Sequence, residues 1–95
     1  MAGSGKRTVL QPVSLDAIRR AQARLASVVR PTPLLPLAGR PGEPPVYLKL
    51  ECLQPIGSFK IRGAANALAL ADDDALRDGV YTGSAGNMAQ GVAWA

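Results

Sequence analysis

Along the chain, apolar positions recur at helical spacing from Ser14 to Val29, where Leu15, Ile18, Ala21, Leu25, Val28 and Val29 gather on one face. Ser14 is placed to cap that helix and Asp16 falls in its first turn. Pro31 and Pro33 are expected to end it, because proline cannot donate the helical hydrogen bond and biases the preceding residue toward extended backbone. An extended segment, Thr32 to Leu37, should follow. Prolines and glycines between Gly39 and Pro45 read as turn chemistry, delivering the chain into the alternating strand Val46 to Glu51.

After a turn at Pro55 to Gly57, Ser58 is expected to cap a second helix running to about Ala71, whose alanines permit close packing. Asp72, Asp73 and Asp74 stand where that helix stops and should cap a short helical turn. Gly79 to Thr82 reads as a short strand, and Met88 to Ala95 begins a third helix. Strands alternating with helices predict an α/β fold with a largely parallel sheet, which needs more strands than the two or three visible here.

Composition narrows the chemistry. The chain has 95 residues, a net charge of +4, one cysteine and no histidine. The commonest general base and metal ligand is therefore missing, and Cys52 alone makes neither a disulfide nor a zinc cluster, so no metal site is expected. The arginines are dispersed rather than interleaved with aromatics, which argues against nucleic acid. The lone cysteine fits a reducing cytoplasm, and no stretch has the roughly 20 apolar residues of a membrane span, so a soluble cytoplasmic protein is expected. Residues 1 to 12 lack periodicity and read as a mobile terminus; within them, Gly3 to Arg7 lacks the first glycine and the preceding strand of a phosphate-binding loop.

Two junctions remain as candidate sites: Gly57-Ser58-Phe59-Lys60 and Ser84-Ala85-Gly86-Asn87. Each lies where a strand should pass into a helix, the place where ligands bind to α/β sheets and helix amino termini offer free N–H groups. Lys60 falls at the positive end of its helix macrodipole, where an ammonium is disfavoured and the neutral amine that attacks an aldehyde is easier to reach. By position alone it reads more readily as an ordinary surface lysine at a helix start. Ser84 to Asn87 offers a hydroxyl, an amide and backbone donors to a carboxylate or phosphate, and reads equally as a simple capped turn. With no histidine to activate it, Ser84 is not a hydrolytic nucleophile.

Taken together, Glu51-Cys52-Leu53-Gln54-Pro55-Ile56-Gly57-Ser58-Phe59-Lys60-Ile61-Arg62-Gly63-Ala64 resembles the cofactor-lysine motif of the threonine dehydratase and serine racemase group. Ser84 to Gly91 resembles that group's substrate-carboxylate loop, and Arg30-Pro31-Thr32-Pro33-Leu34 is similar to its upstream segment. The resemblance implies the pyridoxal-phosphate-dependent fold of the tryptophan synthase β chain. Residues 1–78 would open the larger domain and residues 79–95 the smaller one, leaving an incomplete N-terminal part that is inactive alone.

By the same resemblance, Lys60 holds pyridoxal phosphate as a Schiff base, Phe59 packs near its ring, and Asn87 hydrogen-bonds the ring oxygen. Ser84, Ala85, Gly86 and Asn87 grip the substrate carboxylate. The implied reaction is dehydration and deamination of L-threonine or L-serine to a 2-keto acid and ammonia, in a homo-oligomer. Racemases of the group carry a second acid/base serine where Ala85 stands, which favours dehydration here. Met88 departs from the group's usual histidine, and the group's glycine-rich phosphate loop lies downstream of the residues present. The alternatives are a non-catalytic truncated relative and racemase-type activity on the same scaffold.

Overall fold

A computed structural model describes residues 9–95. The terminus expected to be mobile lies mostly outside them, and Val9 to Gln11 within them form no regular element.

Helix α1 spans Leu15–Leu25 and starts as its sequence dictates: the Ser14 hydroxyl accepts a hydrogen bond from the Ala17 N–H at 3.1 Å. Asp16 pairs with Arg20 one turn on. The helix ends at Leu25, short of the expected Val29. The N–H groups of both Val28 and Val29 converge on the Leu25 carbonyl, closing a tight turn well before the prolines act.

Strands β1 (Leu34–Leu37) and β2 (Val46–Lys49) pair antiparallel, with Leu34 opposite Lys49 and Leu37 opposite Val46. The parallel ladder expected from sequence is not found among the described residues, because an eight-residue connection without a crossover helix joins only antiparallel neighbours. β2 is also shorter than expected. Glu51 leaves it to begin a 3₁₀ turn, Glu51–Leu53.

Helix α2 spans Lys60–Leu70 and buries Ile61, Ala64 and Ala65. Asp72 then caps the short α3 (Asp73–Leu76) by accepting from the Ala75 N–H at 2.7 Å, as expected. Gly79 to Thr82 forms no strand, and the Tyr81 side chain is fully exposed. A strand exists only through a hydrogen-bonded neighbour, and no described segment lies alongside this one. Helix α4 spans Asn87–Trp94.

The buried apolar residues are few: Leu25, Ile61, Ala64 and Ala65, where α1 and α4 meet α2. The radius of gyration is 17.8 Å, against about 12 Å for a compact domain of this length. The core is thus local to α2, while Leu34, Leu35, Tyr47 and Leu48 of the hairpin stay exposed. No helix among the described residues is long and apolar enough to cross a membrane.

Candidate active site

Lys60 is the first residue of α2, reached through a turn that Gly57 closes at φ +76, with its N–H on the Gln54 carbonyl at 2.8 Å. A side chain would be strained at that φ, which is why glycine stands there. Ser58 does not cap α2 as its position suggested. The N-cap is Phe59, in helical conformation and without a side-chain bond, and the Ser58 hydroxyl is buried with no partner.

Lys60 itself is half-buried, with Nζ 5.1 Å from the centre of the exposed Phe59 ring. Among the described residues no carboxylate pairs with that ammonium. The amine is therefore at the surface of the fold, steadied by an aromatic face and not neutralised by an anion.

The second junction lies at the start of α4. Gly86 is its N-cap, at φ −145 and ψ −136, outside the helical and extended regions, and Asn87 its first residue. The Ser84 hydroxyl accepts from the Gly86 N–H at 3.2 Å and from the Ala89 N–H at 3.3 Å, while Gln90 N–H returns to the Gly86 carbonyl. These bonds use the N-cap N–H and the later donors of the first turn. The N–H groups of Asn87 and Met88 have no intrahelical partner by geometry, and they stay open together with the exposed Ser84 and Asn87 side chains.

The two junctions share one end of a helix pair. Gly91 lies against the start of α2: a Cβ there would come 3.2 Å from the Lys60 carbonyl oxygen and 3.4 Å from the Ala64 Cβ. Farther on, Val92, Trp94 and Ala95 line a groove of about 590 Å³ with Ala65, Leu68 and Ala69. Contacts thus advance along both helices in the same sense, so α4 runs alongside α2. Asn87 is four residues before Gly91, which carries the first turn of α4 roughly 6 Å beyond the level of Lys60.

Sequence reading passed over a polar cluster beneath this site. Glu51 accepts four hydrogen bonds: from the Thr32 hydroxyl at 2.9 Å, from Gln54 Nε2 at 2.8 Å, and from Arg62 through Nε and, at 3.2 Å, Nη2. Gln54 also clasps the Arg30 backbone, accepting from its N–H and donating to its carbonyl, each at 2.9 Å. Lys49 Nζ donates to the Thr32 carbonyl at 2.6 Å. Thr32 and Gln54 are buried, so the bonds they make are partly shielded from competing water. The Arg62 hydrogen bond is the main reason that the Glu51 carboxyl is lowered to about 2, with Gln54, Thr32 and the Arg62 charge adding to it against the opposing effect of burial. The signal was present in the sequence as an acid, an amide and an arginine within one short run, but nothing in their spacing says that they meet.

Comparison with known proteins is consistent with this arrangement. A family model described as pyridoxal-phosphate dependent enzyme matches residues 25–95. A serine racemase from Oryza sativa subsp. indica is 39% identical over 99 residues, covering 98% of this chain and 28% of the relative. A biosynthetic L-threonine dehydratase from Mycobacterium tuberculosis is 51% identical over 81 residues, covering 82% of this chain and 19% of the relative. The structure of maize serine racemase superposes with a TM-score of 0.70 at 41% identity, covering 83% of this chain and 26% of that one. The chain thus spans between about a fifth and a little over a quarter of these proteins' length.

Proposed function

Because the chain belongs to the family of pyridoxal-phosphate dependent enzymes, we propose that it supplies the cofactor-lysine region of an ammonia-lyase that converts L-threonine or L-serine to a 2-keto acid and ammonia. The observation that carries this reading is the pairing of Lys60, opening α2 without a carboxylate partner, with an anion-receptive helix start held beside it by Gly91.

The residues present fit the cofactor. An unpaired primary amine over an aromatic face suits an aldehyde attached to a flat ring, and open N–H groups with a hydroxyl and an amide suit polar oxygens. When bound, pyridoxal phosphate supplies an electron-withdrawing ring conjugated to the substrate α-carbon. Lys60 Nζ would hold the cofactor, and its free amine would take the substrate α-proton. The exposed Phe59 would pack beside the cofactor ring. The Ser84 O–H and the open N–H groups beside Ala85 and Gly86 would hold the substrate carboxylate, and the Asn87 amide would be available to the cofactor. In this reading, residues 1–78 belong to a larger domain and 79–95 to a smaller one, in a cytoplasmic homo-oligomer.

Ala85 favours dehydration over racemisation, since a side chain without a hydroxyl cannot return a proton to the opposite face of the α-carbon. The serine racemases among the relatives keep the second outcome in view.

The test is borohydride reduction of the full product of the gene after addition of pyridoxal phosphate, with peptide mapping, followed by product analysis with both amino acids. Label on Lys60, lost in Lys60→Ala, together with keto acid and ammonia, is expected. Label elsewhere overturns the site, and D-serine as the main product overturns the lyase assignment.

A further inference from the structure

The first turn of α2 is where Lys60 must be aimed, yet the usual devices for fixing a helix start are missing. Phe59 at the N-cap offers no side-chain oxygen, and the Ser58 hydroxyl bonds to nothing. What holds the turn instead lies on its other side. Ile61 is completely buried, and Arg62 is seated on Glu51 through both Nε and Nη2. At 3.6 residues per turn, Arg62 projects about 200° from Lys60, so it grips the back of the turn without entering the space in front of Nζ.

Glu51 is the fixed point of that grip. It sits in the 3₁₀ turn Glu51–Leu53, and its second oxygen is claimed by Thr32 and Gln54, which tie it to the Arg30–Thr32 segment. A two-pronged arginine contact fixes direction as well as distance. The cluster therefore restrains rotation of α2 about its own axis, the one motion that would swing Lys60 away.

We propose that Glu51, acting through Arg62, is a positioning residue that sets the direction in which Lys60 presents its amine to the cofactor. The proposal rests on the pyridoxal-phosphate reading of Lys60. It concerns alignment rather than folding alone, so its signature is a loss of turnover and of cofactor ordering at preserved substrate binding.

The experiment compares Glu51→Gln and Arg62→Lys with the wild type in the full product of the gene, loaded with pyridoxal phosphate. Three readouts are taken: circular dichroism of the bound cofactor, the yield of borohydride-trapped label on Lys60, and kcat and KM with L-serine and L-threonine. Both variants are expected to weaken the cofactor dichroism and to lower kcat roughly tenfold or more, with KM within about twofold. Arg62→Lys keeps the charge but loses the fork, so it should resemble Glu51→Gln rather than the wild type. If Glu51→Gln does not fold, Thr32→Val, which removes one of the four bonds and keeps the ion pair, should show the same split at smaller amplitude. Variants that melt earlier but keep wild-type dichroism, labelling and kcat overturn the positioning role and leave the cofactor site standing. A wild type that takes no label on Lys60 overturns both.

Discussion

The backbone of Gly91 in α4 rests on the carbonyl of Lys60 in α2, so closely that an added Cβ would lie 3.2 Å from that oxygen and 3.3 Å from its carbon. The obstacle is main chain, which cannot swing aside as a side chain does. Gly91→Ala gains helix propensity worth up to about 1 kcal/mol but must push α4 outward by a few tenths of an ångström. Stability should change by less than about 1 kcal/mol in chemical denaturation, while cofactor affinity, followed by absorbance titration, weakens. Gly91→Val should lose both.

Among the described residues Ile61 is the one large side chain with no exposure at all, standing between the lysine and the arginine of the first α2 turn. Ile61→Ala should cost about 2–4 kcal/mol, read as a shift of the urea midpoint. Leu70, more than half exposed at the other end of α2, should cost under about 1 kcal/mol by the same substitution.

The Glu51 carboxyl, lowered from an ordinary 4.5 to about 2 in the folded state, links stability to pH with a definite sign. Between those values the unfolded chain binds more protons, so the contribution is complete above about 4.5 and is lost as pH falls toward 2. Glu51→Gln should therefore be less stable at neutral pH, on the order of 1–3 kcal/mol for bonds to a charged group. The gap to the wild type should close on acidification. Urea midpoints of both proteins across this range check it, and a gap constant with pH would refute it.

Ser58→Ala separates two views of one residue. A capping serine would lose about 1 kcal/mol, whereas a buried hydroxyl without a partner is better replaced by a methyl group. Unchanged stability, or a gain of up to about 1 kcal/mol, is expected in thermal or chemical melts.

What was legible in the sequence is local. Ser14 and Asp72 cap α1 and α3 because a short polar side chain satisfies backbone donors three residues away. Gly57 marks a positive-φ turn because only glycine adopts it without strain. The motifs around Lys60 and Asn87 fall at helix starts, as their flanking residues imply. Each of these depends on neighbours in the chain, so residue type and spacing suffice.

The expectations that failed depend on more than residue type and spacing. Gly79 to Thr82 has strand composition and forms no strand because no described strand lies beside it. Ser58 has the right residue type for a cap, but the chain turns into helix at Phe59 and leaves its hydroxyl inside. Glu51 alternates correctly for β2, yet four hydrogen bonds draw it into a 3₁₀ turn.

By itself the sequence determined the helices, the Ser14 and Asp72 caps and the family, since those are written in periodicity and in short contiguous motifs. Only the tertiary structure decided that Thr32, Glu51, Gln54 and Arg62 form one cluster, and that Gly91 brings the Asn87 loop alongside Lys60. Both are meetings of residues from 3 to 31 positions apart, and what fixes them is close packing and hydrogen-bond satisfaction, which no spacing rule encodes.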